Sequence, residues 1–507
     1  MSIDIPRKDE ELHSIRRRHT KAAAEYISRQ KQRLYIGGEW VESRSGQTFQ
    51  THDPMTGDVL ANVPAGTSAD VDRAVAAAWE AYRKHWCDAT VTERQQLLHR
   101  IADRVEEQKE KFAVLDSLDN GKPITEARTD IDLFVDQFRY FGGVIRGNEG
   151  SIVPNAEGQH IQTVTEPYGV VGQIVPWNFP MLMTAWKLAP ALATGNSVVI
   201  KPAEQTPLSI LELIREIEDL LPPGVVNVIT GYGPEAGEPI VSHDDVPKVA
   251  FTGSTEVGQG VVKSAALGVT DVTLELGGKS PVIIYPDVSI EKAVETSVRA
   301  MFFNNGECCS AGSRLFVHSD IEASFVDAFV EAVEDLRLGD PLNEETDLGP
   351  QVNPSQANKT MQYLTSLRED GARILTGGYE PSEEPFDDGC FVAPTVVTDV
   401  SHDARGVQEE IFGPVEVLFS WDDYDEMIRQ ANDVDYGLAG GVITNDITDA
   451  YRTAADLDAG NIWINTYNQF PAGQPFGGVK QSGTGREVGE ETLDEYTQTK
   501  TISIEFE

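Results

Sequence analysis

From residue 169 onward, short runs rich in valine and isoleucine alternate with helix-like stretches. The strand runs are VVGQIVPW, SVVIKPAE, VVNVIT, VPKVAFTGS and VTLELGG. Strands joined by crossover helices run parallel, so this alternation predicts an α/β layer architecture with a parallel sheet. A second alternating region, from about 281 to 483, carries PVIIYP, SRLFVHS, PVEVLFS, GGVITND and NIWINTY, and predicts a second α/β unit. In open sheets of this kind ligands gather at the carboxyl ends of the strands. The segments PWNFP, KPAE, GSTEVG and ELGGK all fall at such ends.

A chain of 507 residues is too long for one core, and two or three domains are expected. No apolar run is long enough to span a bilayer, and the opening MSIDIPRKDEELHSIRRRHTK lacks the apolar stretch of a secretory signal. Cys87, Cys308, Cys309 and Cys390 make neither a disulfide framework nor zinc-ligand spacing, which fits a reducing cytoplasm and predicts no metal site. The 82 acidic residues outnumber the 41 basic ones to give a net charge of −41, spread through stretches such as EETD, DDYDE and EPSEEPFDD. Self-repulsion of that size is tolerable where salt screens it. The composition therefore predicts a high-salt cytoplasm, as in salt-in halophiles, and disfavours nucleic acid as a partner. The regular apolar strands argue against disorder.

The rest of the chain organises around this frame. Residues 1–32 predict a helix or a loose extension, with no chemistry assigned. RLYIGGEWV at 33–41 predicts a hairpin around Gly37-Gly38, and His52 to Gly57 a turn between strands. Ser68 is the expected N-cap of a helix whose face is Val71, Val75, Ala78 and Tyr82, and Leu97, Leu98, Ile101 and Val105 make another core stripe. Residues 150–166 predict a projecting hairpin arm, and the tail KTISIEFE a strand able to pair with another subunit.

Several residues at the strand ends carry chemistry. Lys201 and Glu204, three apart after a strand, suit the two hydroxyls of a ribose, and the Glu204 carboxylate would repel a 2′-phosphate, which favours NAD over NADP. Gly253-Ser254-Thr255-Glu256-Val257-Gly258 opens a helix where backbone N–H groups can meet a pyrophosphate, although its spacing is not G-x-G-x-x-G. Taken singly, each of these pieces reads more readily as a turn glycine or an exposed ion pair. Asn178, between two prolines in PWNFP, can donate its amide to an oxyanion or bond its own backbone as a turn asparagine. Glu275, between leucines and ahead of two glycines, is either a partly desolvated general base or a strand residue facing solvent. The loop FFNNGECCSAGSR at 302–314 leaves a helix of roughly 290–303 and enters a strand. Its cysteines are either small buried hydrophobes or a nucleophile, which acts only as thiolate and so needs a pKa below about 8.5.

Gly306-Glu307-Cys308-Cys309 resembles the cysteine signature G-[QE]-x-C of the aldehyde dehydrogenase superfamily, and ELGGKSP its glutamate signature. The likeness runs from about residue 33 to the C-terminus and includes TAWKLAPALATGN, EIFGP and PFGGVKQSGTGRE, with Glu307 in place of the more usual glutamine. It implies two parallel-sheet α/β domains, Rossmann-like and catalytic, plus a small β oligomerisation arm. The implied limits are 1–147 and 169–276 for the NAD-binding domain, 277–483 for the catalytic domain, and 148–168 with 484–507 for the arm of a homodimer or homotetramer.

The same resemblance implies Cys309 as nucleophile, Glu275 as base, Asn178 as oxyanion donor, and Lys187 with the catalytic group. Lys201 and Glu204 would hold the adenosine ribose, Pro234 and Val257 would flank the adenine, and Ser254 would meet the pyrophosphate. Glu410 and Phe412 would position the nicotinamide ribose, with Ile174, Val175, Pro176, Trp177, Gly233, Gly237, Gly253, Leu276 and Gly277 completing the NAD site. Phe179, Leu182, Trp186, Phe303, Phe470 and Phe476 would line the aldehyde tunnel, or else form plain core. That wall has no arginine, which disfavours succinate semialdehyde. It fits a small aliphatic or aromatic aldehyde, with betaine aldehyde as the alternative because aromatic faces bind quaternary ammonium. The intact Cys309, Glu275 and Asn178 argue against a catalytically silent structural relative, and Glu275 argues for hydrolysis over acyl transfer to CoA.

Overall fold

The computed structural model describes residues 8–506 except 29–30, 148 and 155–158. The expectations that touch residues 1–7, 29–30, 148, 155–158 and 507, including the tip of the 150–166 arm, lie outside the described residues. Both expected α/β units are present; the parallel centre of the first sheet has antiparallel strands at both edges, and that of the second at one edge only.

The first sheet has eight strands in the order Glu39–Val41, Leu34–Ile36, Val226–Val228, Ser197–Lys201, Val170–Ile174, Lys248–Thr252, Asp271–Glu275 and Gly483–Thr484. The five central strands are parallel because helices such as Pro180–Thr194, buried along its whole length, connect them. The chain winds outward in one direction from Val170–Ile174 and then returns to add Lys248–Thr252 on its other side. The strand order therefore reverses between these two, and a crevice opens at their carboxyl ends.

The second sheet has seven strands, Arg373–Thr376, Thr395–Thr398, Val415–Trp421, Arg314–His318, Pro281–Ile284, Ala439–Ile443 and Asn461–Ile464. The first two of these were not expected from the sequence. The cysteine loop enters Arg314–His318 at its amino end, so the second sheet presents its amino edge to the carboxyl ends of the first.

A three-stranded sheet of Ile152–Val153, Gln159–Pro167 and Thr497–Glu505 forms the arm and pairs the tail with the 159–167 strand over nine residues. The N-cap of the Ser68–Lys84 helix is Thr67 rather than Ser68. The Asp70 carboxylate accepts from the Thr67 N–H at 3.1 Å and its hydroxyl at 3.0 Å, a capping box that a serine one residue later cannot make. Residues Lys8–Tyr26 form a helix docked on the body, and among the described residues no helix is long and apolar enough to cross a membrane.

Candidate active site

A cleft of about 150 Å³ lies at the point where the first sheet reverses its order. Its walls are the loop after Val170–Ile174 (Pro176, Trp177, Asn178), the loop after Lys248–Thr252 (Gly253, Ser254), the Leu276-Gly277 turn, and Cys309, Glu410 and Phe412 from the second unit. Sequence reasoning singled out each of these. It missed Met183, Thr252, Gln356 and Lys359, which line the same cleft. Gln356 and Lys359 come from the Pro354–Glu369 helix, which carries no motif. Only the long-range fold brings it here.

The two adjacent cysteines separate by burial. Cys308 is 3% exposed, with its Sγ 3.3 Å from the Ser310 hydroxyl, whereas Cys309 is half-buried and faces the cleft. The preceding turn is strained. Asn304, Asn305 and Gly306 are consecutive left-handed residues at φ 54°, 59° and 72°. The Asn304 side chain donates to the carbonyls of Asn178 at 3.1 Å and Glu307 at 2.9 Å. The Asn305 side chain donates to those of Gly121 and Pro350 at 3.2 and 3.0 Å. Gly306 is required here, because a Cβ would lie 2.6 Å from the Gly413 backbone of the EIFGP loop. Phe412 in that loop is itself left-handed at φ 61°, is held by Gln356 Nε2 donating to its carbonyl at 2.5 Å, and meets the Trp177 ring edge-on at 5.2 Å.

The thiol pKa moves against the simple expectation. The hydrogen bond with Cys308, burial, and the nearby Glu410 and Glu275 carboxylates all push Cys309 above the ordinary thiol range. A cysteine attacks only as its thiolate, so this thiol gives up its proton before it reacts. Asn178 Nδ2 donates to the Glu307 carbonyl at 3.1 Å, which fixes the amide beside the cysteine loop and leaves its second N–H uncommitted there.

Glu275 does not face solvent. It is 5% exposed, both carboxylate oxygens lack a hydrogen-bond partner, and burial followed by the Glu487 carboxylate raises its pKa well above the usual range. The Gly483–Thr484 strand pairs with Asp271–Glu275 and brings Glu487 and Arg486 behind it. Lys187 is fully buried there, with its Nζ 2.6 Å from Glu487 Oε1 and 2.6 Å from the Thr252 hydroxyl. Neither Glu275 nor Lys187 lines the cleft itself. Glu487 was quoted in the sequence only as part of PFGGVKQSGTGRE, and its pairing with Lys187 is a contact across 300 residues.

Of the expected cofactor residues, Glu410 accepts from the Gly278 N–H at 2.9 Å, and Ser254 caps the Thr255–Gly268 helix by accepting from the Val257 N–H at 3.4 Å. Lys201 is buried, with its Nζ 3.4 Å from Glu204 Oε2, and its side chain runs past Gly237 and near Ile174. Ile174, Val175, Lys201, Glu204, Gly233, Pro234, Gly237 and Val257 lie outside the 150 Å³ cleft. Pro234 and Val257 are exposed. The expected tunnel residues form two aromatic groups that do not line the cleft either. Phe179 stacks on Phe303 at 5.8 Å, and Trp186, Phe470 and Phe476 pack together at 5.2 to 6.0 Å, with Leu182 buried.

The fold and site define an α/β protein with a ligand crevice at the switch point of a doubly wound sheet, where a cysteine turns toward the opening and a desolvated carboxylate lies behind it. Comparison with known proteins narrows the class. The model of the aldehyde dehydrogenase family matches residues 40–502, and the chain belongs to that family of oxidoreductases acting on the aldehyde group. It is 43% identical over 480 residues to retinaldehyde dehydrogenase 3 of Mus musculus, covering 94% of this chain and 93% of that one. Among solved structures it resembles an NAD+ complex of an aldehyde dehydrogenase from Bacillus cereus, with TM-score 0.93 and 43% identity over 96% of this chain and 98% of that one. It also resembles a betaine aldehyde dehydrogenase from Staphylococcus aureus in complex with NAD+, with TM-score 0.94 and 39% identity over 96% and 97% of the two chains.

Proposed function

We propose that this chain oxidises a small aliphatic or aromatic aldehyde to its carboxylic acid with NAD, through a covalent bond to Cys309. The observation that carries the reading is that Cys309, and not Cys308, opens onto the cleft shared with Asn178, Ser254 and Glu410. The residues present fit the cofactor. The helix N-terminus at Ser254 suits a pyrophosphate, the Lys201–Glu204 pair a ribose, and the Glu410–Phe412 loop the nicotinamide end. When bound, NAD+ accepts the hydride.

Each chain residue then has a task. Cys309 gives up its proton to water entering the cleft and attacks the aldehyde carbon. Asn178 Nδ2 and the Cys309 N–H hold the oxyanion, and one such donor contributes about 3 kcal/mol at the transition state. Oxidation leaves a thioester on Cys309. Glu275 takes a proton from water, which hydrolyses that thioester and releases the acid. The arm, with Ile152, Val153, Ile502 and Ile504 exposed, supports assembly as a homodimer or homotetramer.

The test is an aldehyde panel with NAD and NADP compared in about 2–4 M salt, on wild type, Cys309→Ser and Cys308→Ser. The reading expects NADH from wild type, turnover retained in Cys308→Ser and lost in Cys309→Ser. Wild-type turnover by Cys309→Ser would remove the nucleophile from the scheme, and silence across the whole panel would favour a catalytically silent structural protein.

A further inference from the structure

The segment 119–126 (DNGKPITE), at the end of the Lys109–Asn120 helix, touches both loops of the site at once. Asn120 Nδ2 donates to the Trp177 carbonyl at 3.1 Å. The Gly121 carbonyl accepts from Asn305, and Glu126 Oε2 accepts from the Asn304 N–H at 2.8 Å. Between these anchors stands Lys122. Its side chain is wholly buried, its Nζ is 2.6 Å from Asp130 Oδ2, and the same Nζ sits 4.1 Å from the centroid of the Phe179 ring. The Lys122 N–H donates to Asn120 Oδ1 at 3.1 Å, which anchors its backbone, and the Asp130 carboxylate holds the ammonium beside the ring.

Burying a lysine–aspartate pair is a poor way to gain stability, because an apolar pair of similar volume generally does as well. The pair therefore invites a reason other than folding. The ring it touches belongs to the residue after Asn178 and stacks on Phe303, the residue before Asn304. An ammonium on an aromatic face uses the negative face of the quadrupole and leaves the ring edge more positive.

We propose that Lys122 is a specificity-determining positioning residue, its ammonium on the Phe179 ring turning that wall against cationic aldehydes and toward neutral ones. This rests on the reading that Phe179 lines the aldehyde path, and it selects against betaine aldehyde among the substrates that the aromatic wall otherwise admits.

The experiment compares betaine aldehyde with its neutral isostere 3,3-dimethylbutanal. Wild type must already have the lower kcat/KM for betaine aldehyde, and a wild-type preference for the cation would overturn the inference without any variant. In Lys122→Met/Asp130→Leu, which removes both charges, the kcat/KM ratio of cationic to neutral aldehyde should rise about five- to tenfold, chiefly through KM for the cation. Lys122→Arg keeps the charge and should hold the ratio near its wild-type value. A purely structural role would lower both substrates in parallel and leave the ratio where it was. If Phe179→Leu changes KM for neither aldehyde, the wall itself is misplaced and the inference falls with it. If Phe179→Leu does change KM but the double variant leaves the ratio unmoved, the wall stands and only the role of the charge is lost.

Discussion

At the scale of single residues, the site separates two protonation problems. Cys309 is held as a thiol by Cys308, burial and two carboxylates, and Glu275 is raised by burial and Glu487. A carboxylate whose pKa lies above the ordinary range ionises only as pH rises through that raised value. The acid limb of steady-state turnover should therefore lie well above pH 4.5, the ordinary value for a glutamate. Replacing Glu275 with glutamine removes the base for hydrolysis but leaves the sulfur. Rapid mixing of Glu275→Gln with aldehyde and NAD should show a first burst approaching one NADH per site, followed by steady turnover reduced roughly 10²–10⁴-fold. Loss of the burst together with the steady rate would place Glu275 in the first half-reaction.

The residues that sequence could name are those whose chemistry is local. Asn178, Ser254, Glu275 and Cys309 each end or follow a recognisable strand or helix; Asn178, Ser254 and Cys309 line the crevice and Glu275 is buried outside its lining. Glu487, Gln356, Lys359 and Lys122 could not be found that way. Their roles come from contacts with residues far along the chain, such as the 300-residue separation between Lys187 and Glu487. The same holds for the left-handed Asn304-Asn305 pair, whose strain is carried by partners at Gly121, Pro350 and Asn178.

At the scale of elements, the N-terminal helix Lys8–Tyr26 turns out to be part of the body, although most of it precedes anything that periodicity or motif could interpret. It lies outside the residues matched by the family model. Its buried His19 bridges two distant segments. Nδ1 lies 2.6 Å from Asp53 Oδ2, in the turn between the first strands, and Nε2 lies 2.8 Å from Asp340 Oδ1, in the second unit. Arg18 also pairs with Asp340 at 2.5 Å, and Arg16 pairs with Asp58 and Asp388 at 2.7 and 2.8 Å. Burial alone would lower the His19 pKa, but hydrogen bonds to Asp340 and Asp53 outweigh it and raise the value from 6.5 to about 9.

A group raised on folding contributes its full stability below its unfolded pKa and loses it as pH rises through the folded one. The stabilisation from the His19 bridge should thus be largest below pH 6.5 and fall away between 6.5 and about 9, where the folded imidazole loses its proton. His19→Gln leaves the buried Asp53 carboxylate without its cation, while Asp340 keeps Arg18, and should cost about 3 kcal/mol near pH 6.5. Denaturant unfolding at fixed salt should show this gap to wild type narrowing steadily toward pH 9.5. A gap that stays constant with pH would mean that His19 acts by packing and not by charge.

At the scale of the whole molecule, the net charge of −41 is the dominant fact, because 41 basic residues cannot neutralise 82 acidic ones however they pair. The exposed ion pairs, such as Arg139 with Asp103 and Glu106, or Arg337 with Glu345 and Asp347, are individually worth little and weaken as salt is added. The unpaired carboxylates repel one another over about 8–10 Å in dilute buffer and over only about 3 Å in 1 M salt. The two effects have opposite signs, and the excess of like charge makes repulsion the larger. Potassium chloride raised from about 0.1 to 2 M should therefore raise both melting temperature and turnover, most steeply at the low end where the screening length changes fastest. An equal osmolality of sucrose should not reproduce that low-end rise, since it excludes volume without screening charge. A melting temperature that is highest in dilute buffer would show that the acidic surface is balanced by its local pairs and needs no salt to fold.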